Sequence, residues 1–104
     1  MPFDGSEGNE ISLDRAAEMT RAYREAFPGK TSSMFLGAEI LRRLIKQPNS
    51  QGIRFYYATE GDTTRLVAVS ADENENDLIG EGFLVADEGM CGPPHQGMAN
   101  VLNS

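Results

Sequence analysis

At Gly52 the apolar period of this 104-residue chain changes from 3.6 residues to two, and that change sets the fold class. Before it, Leu13, Ala16, Thr20, Tyr23 and Phe27 recur at steps of three and four, one stripe along a helix. Ser12 stands where its hydroxyl can accept an orphan backbone N–H, and Asp14 falls in the first turn, where the helix dipole favours negative charge. Phe27-Pro28-Gly29 ends the stripe, because proline cannot continue the hydrogen-bond ladder. A second helical face runs through Met34, Gly37, Ile40, Leu41, Leu44 and Ile45, broadened by Phe35 and Leu36. Thr31, Ser32 and Ser33 are its candidate caps, Arg42, Arg43 and Lys46 complement its exposed carbonyls, and Pro48-Asn49 stops it.

Beyond Gly52, Ile53, Phe55 and Tyr57 alternate with Arg54, Tyr56 and Ala58, the pattern of a half-buried strand. Glu60-Gly61-Asp62 supplies a turn, and Leu66, Val67, Ala68 and Val69 make a second strand. A polar loop from Asp72 to Asp77 leads to a third strand over residues 78–86, weakened by Gly80 and Gly82. The expected fold is α+β: two N-terminal helices packed on a three-stranded antiparallel β meander. Residues 1–10 read as a flexible leader and 11–104 as a single domain. Within it, 87–104 form an irregular tail pinned by Val101 and Leu102. Open outer edges on such a sheet make an edge-paired homodimer the expected assembly.

Composition narrows the function classes. A chain this short holds one modest core, with no room for a substrate domain beside a cofactor domain. No run of 18 apolar residues is present, so no membrane partner is expected. The start, Met1 to Gly8, is acidic and glycine-rich rather than basic and then apolar, which makes a cytoplasmic location the expectation. Cys91 is the only cysteine, so no internal disulfide can form. Residues 1–50 balance seven basic against seven acidic side chains, whereas 51–104 carry two basic and nine acidic ones. That half repels phosphates, and the basic residues of the first half alternate with acids at helical spacing, so no nucleic-acid partner is expected.

Met90-Cys91-Gly92-Pro93-Pro94-His95-Gln96-Gly97-Met98 is the most chemical-looking segment. Cys91 and His95 are the candidate metal ligands: thiolate and imidazole suit Zn²⁺, and with the thioethers Cu(I). They supply only half of a closed zinc site, and a small packed cysteine beside a solvated histidine is the plainer reading. The same pair could form a thiolate–imidazolium nucleophile, oriented by Asn100, Asp87 or Glu88. Asp72-x-Asn74-x-Asn76 matches the first ligands of a calcium loop, but Asp77 replaces its glycine and Phe83 its bidentate glutamate. Gly29-Lys30-Thr31-Ser32 resembles the end of a phosphate-binding loop, without the upstream glycine or a preceding strand. Tyr56, on the opposite strand face from Phe55 and Tyr57, joins Arg54 as a candidate partner-binding pair, a composition typical of interfaces. Tyr23, Phe27, Phe55 and Tyr57 are assigned to the core.

Ser12 with Ala16/Ala17, Gly37 to Leu44, Gly52-Ile53-Arg54-Phe55-Tyr56-Tyr57, Leu66-Val67-Ala68-Val69, Asn76-Asp77-Leu78 and the Cys91/Pro93/Pro94 tail together resemble a family of small uncharacterised bacterial proteins. The likeness runs from about residue 12 to 103 and implies no activity. Relatives in that pattern tend to carry a second cysteine about where His95 stands, which implies a redox or metal link in them. The expectation for this chain is a non-enzymatic interaction domain without a cofactor, acting on a protein partner or as a homo-oligomer. The rival is a metal or thiol site on Cys91 and His95. A ligand pocket between helices and sheet is a third alternative, since pocket shape is a tertiary property.

Overall fold

Ser12 caps the first helix as its position suggests: its Oγ accepts the Arg15 N–H at 3.1 Å, and α1 spans Leu13–Ala26. In the computed structural model, which describes residues 2–103, the Tyr23 and Phe27 rings stack obliquely along α1 with centroids 5.0 Å apart. Met1 and Ser104, the outermost residues of the expected leader and tail, lie outside the described residues.

The second helix is shorter than its apolar pattern. Ser33–Phe35 is a strand, β1, and α2 occupies only Ala38–Ile45, with Gly37 rather than a hydroxyl residue at its N-cap. The reason lies far along the chain. β1 pairs antiparallel with β4, Met90–Gly92, placing Met34 opposite Cys91, and the Ser32 N–H donates to the Gly92 carbonyl at 2.8 Å. Ser32 and Ser33 are therefore part of an extended segment and not helix caps. The same pairing puts a strand inside the segment expected to be an irregular tail. The two strands approach closely enough to require glycine. A Cβ on Gly89 would stand 2.7 Å from the Phe35 carbonyl oxygen, and one on Gly92 would meet the Ser33 hydroxyl.

β2, Gly52–Glu60, and β3, Thr63–Ala71, form an antiparallel hairpin turned at Gly61-Asp62. The α+β class and the antiparallel strands stand, but the three-stranded meander does not: the described residues form two separate two-stranded sheets. The expected third strand touches β3 only through the isolated bridges Ala71–Asp77 and Ala68–Ala86. A ladder continued from the first bridge would bring residue 80 opposite Ala68; Ala86 stands there instead, so six residues loop out. Gly80 and Gly82 have φ of 108° and 88°, values a regular strand does not contain.

The core is small. Leu44, Ala68 and Ala86 are buried together, flanked by Leu36, Ile40, Ile53 and Leu84. A polar clamp ties it to the looped segment. The Ser70 hydroxyl donates to the Leu44 carbonyl and accepts from Gln47 Nε2 at 2.8 Å, while Gln47 Oε1 accepts the Leu84 N–H at 2.7 Å. No residue of α1 is buried. The radius of gyration, 15.3 Å, exceeds the roughly 13 Å of a compact chain of this length. Among the described residues, no helix is long and apolar enough to cross a membrane.

Candidate functional site

β2 alternates so that Ile53, Phe55 and Tyr57 share one face, with Ser70, Ala68 and Leu66 opposite them on β3. α2 lies over the Ile53 and Ser70 end of this face and stops. Past it, α1 and β1 stand away from the sheet and leave an open cleft of about 460 Å³. Met19 and Tyr23 of α1, Met34 of β1, and Phe55, Tyr57 and Leu66 of the hairpin line it. Its walls are chiefly apolar, and its volume lies in the range of small-molecule and peptide sites. Thr20, Ser32 and Thr64 add hydroxyls, and the Tyr23 hydroxyl donates to the Thr31 carbonyl at 2.9 Å. Core packing is the expected role of these aromatic residues. Phe55 is 48% exposed and Tyr57 87%, because no element extends over them as α2 does over Ile53. A strict period-two pattern gives the face of a residue and not whether that face is covered.

The reverse face of β2 carries the candidate pair Arg54 and Tyr56, and both engage Asp77. The Arg54 guanidinium donates to one carboxylate oxygen of Asp77 and the Tyr56 hydroxyl to the other. Arg54 also donates to the Glu75 carbonyl at 3.1 Å. The Tyr56 hydrogen bond, followed by the Arg54 contact, holds the Asp77 carboxyl below its ordinary range. The same acceptor raises the Tyr56 phenol above its usual value and strengthens the proton hold of Arg54. The Phe3 ring lies 5.5 Å from the Arg54 guanidinium carbon, and the Phe3 N–H donates to the Glu73 carbonyl at 2.9 Å. Asp77 is the partner that sequence reasoning missed. Asn76-Asp77-Leu78 has the composition of an ordinary turn, and nothing in it signals pairing with a strand 21 residues away.

Cys91 and His95 share one turn, in which the His95 N–H donates to the Cys91 carbonyl at 2.9 Å. The thiol belongs to a different group of residues. Arg65 Nη1 stands 3.7 Å from Cys91 Sγ, which in turn lies 3.9 Å from the Thr64 carbonyl. Arg65 also forks onto Asp87, its Nε donating to the carboxylate at 3.1 Å, and this contact raises the proton affinity of the guanidinium. Asp87, a candidate orienting group for His95, is thus engaged by Arg65. Among the described residues, no Cys91 Sγ–imidazole hydrogen bond occurs, and no three His, Cys, Asp or Glu side chains converge to hold a metal ion.

The Asp72–Asn76 stretch is a self-bonded turn. Asp72 Oδ1 accepts the N–H groups of Asn74 and Asn76, both at 2.9 Å, which commits the oxygen a cation would need. Gly29 to Ser32 precedes a strand and opens no helix, so it presents no helix N-terminus to a phosphate. No family model, no curated protein and no solved structure matches the chain.

Proposed function

We propose that this chain is a non-catalytic interaction module whose working surface is the aromatic cleft and the adjoining edge of β2, covered by a protein partner. One observation carries the reading. The chain exposes 7785 Å², against roughly 5,700 Å² for a compact monomer of 11.3 kDa. The excess is about two and a half times the roughly 800 Å² per partner that a standard protein interface removes from water. Part of the exposed surface is apolar and contiguous. Met19, Tyr23, Phe55 and Tyr57 line one cleft, and such a patch on a soluble protein marks an interaction site. The Arg54–Tyr56–Asp77 cluster on the reverse face holds β2 in place from behind, so the edge and the cleft present a rigid surface.

The test is a photo-reactive benzoylphenylalanine at position 57, irradiated in the cell that makes the protein. A covalent adduct with a polypeptide is expected at position 57 and not at an exposed control such as Glu18. Irradiation that yields no adduct at position 57 contradicts the reading.

A further inference from the structure

We infer that the polypeptide covering this surface is a second copy of the chain, joined edge to edge through β2; the inference rests on the interaction-module reading above. The hydrogen-bond directions of the hairpin leave one edge open. Ala68 exchanges both of its backbone bonds with Ala86, and the Ser70 carbonyl accepts from Leu78, so these residues point away from β2. The alternate residues, Val67 and Val69, therefore direct their backbone groups toward β2 and pair with Tyr56 and Arg54. It follows that Ile53, Phe55, Tyr57 and Thr59 direct their N–H and C=O groups outward, along an edge that no described segment covers.

That edge is self-complementary. Two antiparallel copies of β2 overlapping along all nine residues are centred on Tyr56. In this register Phe55 meets Tyr57 of the second copy and Ile53 meets its Thr59. All four are outward-pointing residues, so each forms a hydrogen-bonded pair, about eight bonds in all. The aromatic pairing adds cross-strand contact and brings the second copy's Tyr57 beside Phe55 at the mouth of the cleft.

Charge permits the approach. The chain carries −7 overall, but β2 holds one arginine and one glutamate and is neutral. In the centred register Glu60 lies opposite Gly52 and Tyr56 opposite Tyr56, so no like charges meet. β2 also lacks proline, lysine and a bulge, three of the devices that blunt an edge strand. The surplus surface is ample for the roughly 800 Å² a standard interface needs from each copy.

The test uses the full chain with Cys91→Ser and one new cysteine. At a non-hydrogen-bonded antiparallel pair the Cα atoms stand about 4.5 Å apart, within disulfide reach. Tyr56→Cys should therefore close a disulfide dimer in oxidised glutathione at least about tenfold faster than Thr59→Cys, whose counterpart lies roughly 20 Å away. Because Tyr56→Cys loses the bond to Asp77, the unaltered chain is read in parallel. Amide exchange at Ile53, Phe55, Tyr57 and Thr59 should slow with rising concentration, while light scattering reports twice 11.3 kDa. Equal crosslinking rates, or fast exchange in a particle of 11.3 kDa, overturn the second copy as occupant. If position 57 still links to a different polypeptide in that monomer, the interaction-module reading survives. If it links to nothing, both fall.

Discussion

At the Gly52 end of the hairpin, Ile53 and Ser70 lie beneath α2, and Leu44 above them is wholly buried. At the turn end, Phe55 and Tyr57 continue the same alternation on the same face, yet stand 48% and 87% exposed. The two regions share a strand pair, a period and a side-chain class. What separates them is the length of one helix. α2 ends at Ile45 and starts only at Ala38, because β4 draws residues 33–35 into a strand. The closed half holds the buried core, and the open half is the surface we propose a partner covers.

Substitutions should separate the halves, and the largest effect belongs to the closed one. Leu44→Ala leaves a cavity under α2 and should cost about 2–5 kcal/mol in urea unfolding. Gly89→Ala drives a methyl group toward the Phe35 carbonyl, and should cost about 1–3 kcal/mol and speed amide exchange in β1 and β4. Gln47→Ala removes both arms of the clamp between Ser70 and Leu84, worth about 1–2 kcal/mol by the same denaturation. If Gln47→Ala left stability untouched, the looped segment would not belong to the closed half.

Acid titration gives a smaller effect. The Asp77 carboxyl sits below its ordinary value of 3.8 when folded, so it binds fewer protons there than in the unfolded chain. Its stabilisation is complete above that value and is lost as pH falls through the lowered one. Asp77→Asn should flatten the fall in stability below about pH 4, and should lower neutral-pH stability by about 1 kcal/mol. The smallest effect is expected in the open half. At dilutions that keep the chain monomeric, Tyr57→Ala should change unfolding by less than about 0.5 kcal/mol.

The elements whose cause is local were legible in the sequence. Ser12 and Pro28 bracket α1, and the alternation from Ile53 to Tyr57 marks β2, although the face expected to be core is exposed at Phe55 and Tyr57. Position-by-position reading failed where a distant segment competed. Met34 and Phe35 fit a helical face, but backbone pairing with Met90 and Cys91 outweighs that pattern. Residues 78–86 have a strand's composition, and two positive-φ glycines turn them into a loop held by the Gln47 side chain. Arg54 and Tyr56 were expected to share a face and do, but their common acceptor Asp77, 21 residues from Tyr56, was not legible. Cys91 and His95 are close in sequence, but the thiol meets Arg65, a contact created by the fold. The cleft has no sequence signature, because it is the space that α2 does not reach.

Hydroxyl-radical footprinting across a dilution series compares the two halves in one experiment. Oxidation of Phe55 and Tyr57 should fall as concentration rises and the open half is covered, while Ile53, already packed under α2, should stay constant. Labelling of Phe55 and Tyr57 that is independent of concentration and equally high throughout would show the aromatic half to be a bare surface, and would contradict its covering by a second copy.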